Sequence, residues 1–182
     1  LSTLVRASRN IASRIELGPL MSVLLNQLHS VIAYDGAAAV VIADDDMVFL
    51  DSRGLGERED QVIGIRMNSS RWGLIWDRLS HGEHVIIGDV DSDTPEAQAF
   101  VRAVGVRLKS QLGYVRSWMA IPMRSRDRIV GVLSVSRNEA DYFQEKDADL
   151  VAAFANFAAI AIDNARLFEE AQRRVRQNTA LA

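Results

Sequence analysis

Residues 117–170 read SWMAIPMRSRDRIVGVLSVSRNEADYFQEKDADLVAAFANFAAIAIDNARLFEE, in the order strand, tight turn, strand, loop and long helix. Ser117–Met123 is a short apolar run of Trp118, Met119, Ala120 and Ile121, stopped by Pro122. Proline cannot donate to a ladder and belongs near a strand end. Arg124–Arg128 is a polar turn, and Ile129–Val135 alternates around Gly131 as a buried or half-buried strand does. After the polar loop Asn138–Tyr142, Phe143 to Asp147 opens a helix with acidic residues where the helix dipole favours them. From Leu150 to Ile162 that helix is apolar almost all round, so it must bury more than one face.

Working outward, Leu1, Leu4, Ser8, Ile11 and Ile15 recur at spacings of three and four, with Arg6, Arg9 and Arg14 off the stripe. That is a helix with a narrow coiled-coil seam. Gly18-Pro19 is expected to break it, and a second helix is expected from Pro19 to Val31, carrying Leu20, Val23, Leu24, Leu28 and Val31. Ala37–Ala43 and Met47–Asp51 read as strands, and Asp44, Asp45 and Asp46 between them as a solvated hairpin turn, not a metal site. Gly54 to Asp60 is a loop. Ser69 or Ser70 caps a short helix, Arg71–Ser80, and His84–Gly88 is a short strand.

Asp89-Val-Asp-Ser-Asp93 opens like a calcium loop, but Thr94 stands where glycine is needed and Phe100 where glutamate is needed. The better reading is Thr94 as N-cap and Pro95 at the first position of a helix running to Gln111, interrupted at Gly105. The strands return as hairpins without long helices between them, so an antiparallel sheet flanked by helices is the natural α+β architecture.

The 182 residues fit one domain, and a 48% hydrophobic and 25% charged composition is that of an ordinary globular chain. A net charge of −3 speaks against a dedicated nucleic-acid binder. There are no cysteines, which removes disulfides, thiolate metal sites, thiol nucleophiles and thioether-linked cofactors. The longest apolar run is shorter than a membrane span, and no signal peptide is present, so the segment is expected to be cytoplasmic and without membrane contact. It reads as a piece of a longer protein whose anchor or output domain lies elsewhere.

The stretches Ser117–Pro122 and Gly131–Val135, Phe143 four residues before Asp147, and the apolar helix ending in Asn164–Glu169 together resemble the C-terminal half of a GAF domain. The resemblance implies a GAF/PAS-like fold of about five or six antiparallel strands, long N- and C-terminal helices on one sheet face, and short helices and loops roofing a ligand pocket on the other. It divides the chain into a signalling helix over 1–17, the domain proper over 18–165 and a linker helix over 166–182. It also implies a sensory module of a bacterial signalling protein, foremost a histidine kinase. Diguanylate cyclases, phosphatases, transcription regulators and a ligand-free dimerisation unit are the alternatives.

Candidate pocket residues are Trp72 and Trp76, four apart on one helix, with Trp118 opening the strand that the family places beneath the pocket. Arg71, His84, Asp89 and Arg116 are the nearby polar candidates. Aromatic walls with a few polar groups describe a small-molecule site and a ligand-free core lid equally well. The cyclic-nucleotide branch carries Asn-Lys, Phe and Asp-Glu. Here Asn138 precedes Glu139 and Asp147 precedes Ala148, so a cyclic nucleotide is not expected. Haem through His84 or His81 is a lesser option and is not expected either, and the spacing of His81 and His84 around Gly82 is not that of a zinc helix. A bilin cannot attach covalently within the segment, and the methionine sulfoxide reductases of the family work through cysteines that are absent here. A non-catalytic module with an unidentified ligand is expected.

Leu150, Phe154, Phe157, Ala161, Asn164, Phe168, Ala171, Val175 and Asn178 alternate at four and three residues without a slip. This heptad seam, with Leu4, Ile11 and Ile15 at the other terminus, predicts a homodimer through the terminal helices.

Overall fold

A computed structural model describes residues 2–56, 59–109 and 111–181, with side chains described from Leu17 onward except at 60 and 106–109. The predicted contacts of Leu4, Ile11 and Ile15 therefore lie outside the described side chains. The elements are α1 (Ser2–Val31), β1 (Gly36–Ala43), β2 (Asp46–Arg53), α2 (Glu59–Val62), β3 (Arg66–Asn68), a 3-10 turn (Ser69–Trp72), α3 (Leu74–Ser80), β4 (Val85–Ile87), α4 (Pro95–Lys109), β5 (Ser117–Ser125), β6 (Arg128–Arg137) and α5 (Glu145–Ala180). The six strands pair antiparallel in the order β3-β2-β1-β6-β5-β4. This is the expected α+β architecture.

Strand alternation divides the interior into two layers. Met119, Ile121 and Met123 of β5 and Leu133 of β6 face α1 and α5, where they meet Met21, Leu25, Leu28, Val151, Ala155 and Ile162. Trp118 and Ala120 of β5 and Val132 of β6 face the other way, toward Ile75, Leu79 and Phe100. In α5 most of the core face is alanine: Ala148, Ala155, Ala158 and Ala159 are buried beside Val151 and Ile162. Small side chains let this helix lie close to the sheet.

Three local expectations are corrected. Gly18-Pro19 does not break the first helix, because Pro19 lies inside a continuous α1. A proline in a helix interior costs about 3 kcal/mol. Leu17, Met21, Leu24, Leu25 and Leu28 are all buried, each contributing about 1.5–3 kcal/mol, so burial wins. Pro122 likewise does not end its strand: β5 runs on to Ser125, with Pro122 opposite Val132 of β6. It is tolerated because β4 pairs only as far as Ala120, so Pro122 sits on an edge. The short helix after β3 is capped by Asn68, whose Oδ1 accepts the Ser70 N–H at 3.0 Å, and Gly73 (φ 52°, ψ −127°) splits it in two.

Other local signals match the structure. Thr94 Oγ1 accepts the Ala97 N–H at 3.3 Å at the start of α4, and Gly105 (φ 62°) kinks that helix. Gln144 and Asp147 form a capping box at the start of α5. By length and composition alone α5 is apolar enough to cross a membrane, a test that a core helix of a globular domain also passes. Its inner residues are nevertheless packed on the sheet.

Candidate functional site

The sheet face turned away from α1 and α5 carries a row of small residues. Ser52, Ala38, Ser134 and Ala120 lie side by side across β2, β1, β6 and β5, with Gly36, Ser136 and Trp118 forming the next row. Small side chains leave space above the sheet. The roof comes from Trp72 on the 3-10 turn, Leu79 of α3, Phe100 and Val104 of α4, and Leu112, Tyr114 and Val115 before β5. The partly open cavity has a volume of about 120 Å³.

One wall is aromatic. Trp72 and Trp118 stack with centroids 5.6 Å apart and planes 10° apart, and Phe100 tilts against Trp118 at 5.2 Å. Hydroxyls stand beside it: Tyr114 Oη lies 3.4 Å from Ser136 Oγ, and Ser136 is the cross-strand partner of Trp118. Gly36 makes this approach possible, since a Cβ there would collide with the Tyr114 and Ser136 oxygens. Burial raises the Tyr114 phenol above its ordinary pKa. The Trp72 Nε1–H is shielded from solvent and has no acceptor among the described residues.

Among the described lining residues Arg53 is the single charged one. Its guanidinium is engaged elsewhere, by Asp51 Oδ1 at 2.9 Å, Ser22 Oγ at 2.8 Å and Asn26 Oδ1 at 3.3 Å.

Of the residues singled out from sequence, Trp72 and Trp118 come together in this wall. Trp76 does not line the cavity and packs half-buried on the α3 side of the core. The turn at Gly73 reorients Trp72 relative to α3, so the spacing of four does not put the two indoles on one face. Arg71 is exposed and covers Gly105 of α4. His84 Nε2 pairs with Glu145 Oε2 at 2.7 Å, tying the start of β4 to the start of α5. His81 Nδ1 lies 2.7 Å from the Asp77 carbonyl at the end of α3. Asp89 and Arg116 form a bidentate pair, with Nη2–Oδ2 at 2.8 Å and Nε–Oδ1 at 3.2 Å. Together with the Val90 N–H to Arg116 carbonyl bond at 2.8 Å, that pair clamps the loop before α4 to the start of β5. None of these polar groups lines the cavity.

Sequence reasoning did not single out the hydroxyls of Ser52, Tyr114, Ser134 and Ser136 for the site. The serines at 134 and 136 did carry a signal, being two apart on a strand and therefore on one face. Among the described residues no group of three or more His, Cys, Asp or Glu side chains is placed to hold a metal.

A six-stranded antiparallel sheet with long terminal helices on one face and a roofed cavity on the other defines a small α+β domain. The GAF domain model matches residues 16–162, and the chain belongs to the GAF family. A GAF domain from a phosphoenolpyruvate-protein phosphotransferase of Coxiella burnetii is similar in structure, with a TM-score of 0.69, 18% identity, and coverage of 85% of this chain and 86% of that one. A GAF domain/HD domain protein of Geobacter sulfurreducens gives 0.67 at 16% identity, covering 83% and 94%. The GAF domain of a two-component sensor histidine kinase from Bacillus halodurans gives 0.64 at 18% identity, covering 83% and 96%.

Proposed function

We propose that this domain is the sensory module of a bacterial signalling protein, a cytoplasmic histidine kinase foremost, and that it works as a non-catalytic homodimer joined through its terminal helices. The observation that carries this reading is the double role of β5. Trp118 forms the cavity wall, while Met119, the next residue, is buried under α5. Anything that repositions this strand therefore reaches the helix that leads out of the domain.

The outer face of that helix supports the dimer. Phe157 is 56% exposed and Phe168 55%, with Val23 of α1 alongside at 56%. Leu150 and Val175 are also exposed, and Phe154 and Ala161 are half-buried beside Asn164 on the same face. A stripe this apolar and this long calls for a partner. A ligand would act by population shift, binding one arrangement of the helices more tightly than the other.

Native mass spectrometry of the purified domain tests the proposal. A two-chain mass carrying a small adduct, lost on denaturation, supports a ligand-loaded dimer. A bare monomer at micromolar concentration overturns the dimer.

A further inference from the structure

The side of α5 turned away from the sheet carries two overlapping heptad rows. One runs through Phe154, Ala161, Phe168 and Val175, the other through Ala153, Ile160, Leu167 and Arg174, and both include Phe157, Asn164, Ala171 and Asn178. Successive residues stand about 100° apart around a helix, so the two rows are centred about 50° apart.

Neither row serves the whole helix. Against the domain the first is partly taken: Phe154 is half-buried in a groove with Leu20 and Val23 of α1, and Ala161 in one with Leu17 and Leu20. Ile160 of the second row is 61% exposed there. Past Arg166, whose side chain donates to the Ile42 carbonyl, the preference reverses. The second row brings the Arg174 charge into the seam, which is unfavourable in an apolar contact, where the first brings Val175.

Resting on the homodimer reading above, we propose that a second copy lies parallel along α5 on a seam that changes rows at Asn164. The seam takes Phe157, Ile160 and Asn164 against the domain, then Phe168, Ala171 and Val175 beyond it, at spacings of three, four, four, three and four. The two consecutive fours are a stutter, which locally unwinds a coiled coil. Arg173, Arg174 and Arg176 all stay off this path. The partner that matches a heptad row is a helix of the same period, and a second α5 supplies it. Phe157, Ile160, Phe168 and Val175 are each 55–65% exposed. Side chains this large and this open give two copies on the order of 1,000 Å² to bury, about what a specific interface needs. A parallel pair sets Asn164 and Asn178 each against its own copy, where asparagines fix register. An antiparallel pair centred on Asn164 sets Asn178 against Leu150 instead.

The chain has no cysteine, so single substitutions report the seam directly. Ile160→Cys, Ala161→Cys, Arg174→Cys and Val175→Cys are each oxidised mildly, and the cross-linked dimer is followed on a non-reducing gel. Ile160→Cys and Val175→Cys are expected to cross-link at least about tenfold faster than the other two, because only cysteines with Cα atoms within about 7 Å bridge without backbone movement.

Fast cross-linking at 161 and 175 marks an unbroken first row, and at 160 and 174 an unbroken second row; either overturns the change of row, as does the absence of contrast among the four. Slow cross-linking at all four in a sample that sediments as a dimer overturns the parallel seam and leaves the homodimer standing. Failure of the homodimer reading looks different: the unsubstituted chain then sediments as a monomer at micromolar concentration, and the face belongs to another partner.

Discussion

Trp118 and Met119 are neighbours in β5 that serve opposite layers, one 7% exposed in the cavity wall and the other fully buried beneath α5. Removing either side chain empties a different half of the molecule. Trp118→Ala deletes a large buried aromatic and its contacts with both Trp72 and Phe100. It is expected to cost about 3–5 kcal/mol in urea unfolding, with a drop in Tm on the order of 10 °C. Trp76→Ala, on the half-buried side chain outside the cavity, is expected to cost clearly less.

Phe157→Glu and Phe168→Glu place charges on the open stripe of α5 without touching the core. Folding stability is expected to stay within about 0.5 kcal/mol, as for other surface substitutions. Self-association, read by sedimentation equilibrium, is expected to weaken at least about tenfold, since a charge buried in an apolar contact is unfavourable. Unchanged association would assign this face to another partner.

The clamp between Asp89 and Arg116 predicts a pH effect with a definite sign. Hydrogen bonds from the Arg116 side chain, and then from the Asp91 N–H, hold the Asp89 carboxyl below its ordinary pKa. A group depressed on folding adds stability above its unfolded value of about 3.9, and that contribution is lost as pH falls through the folded pKa. In Arg116→Ala the Asp89 titration, followed by its carboxyl ¹³C shift, is expected to move back up. The acid limb of thermal stability should flatten accordingly.

Gly131 sits mid-strand in β6, where a Cβ would lie 2.5 Å from the Val40 carbonyl oxygen, 2.7 Å from Met123 Sδ and 3.4 Å from Ile162 Cδ1. The methionine sulfur can move, but the Val40 carbonyl belongs to the ladder. Gly131→Ala is therefore expected to cost about 1–3 kcal/mol as overpacking, measured by chemical denaturation. Gly56→Ala meets no atom of the described residues within 4 Å, and its positive φ is the source of the expected loss there.

The hairpin β5–β6 and the helix after it were legible because alternation, a polar turn and a long apolar stretch are local signals. Thr94 and Gly105 were legible for the same reason, since a cap and a kink are decided by a residue or two. Pro19 and Pro122 misled because each obeys a local rule that a distant partner overrides, core burial in one case and the short reach of β4 in the other. β3 was missed: it is three residues long, and its pairing with Asp46, Met47 and Val48 is the only thing that makes it a strand. In the cavity, aromatic residues were visible from sequence, whereas charged residues drew attention away from the serines. Arg71, His84, Asp89 and Arg116 are conspicuous side chains, yet their contacts are with neighbouring elements and none of them lines the cavity. The hydroxyls that reach the interior owe their place to strand register, which spacing along the chain does not reveal.

Past Ala120 the outer side of β5 has no neighbouring strand, and Pro122 stands in that open stretch with no N–H to offer. A second sheet trying to add itself there meets a gap in the donor row, with the charge of the exposed Arg124 close by. Fibre-like growth by strand addition is thus discouraged along this rim.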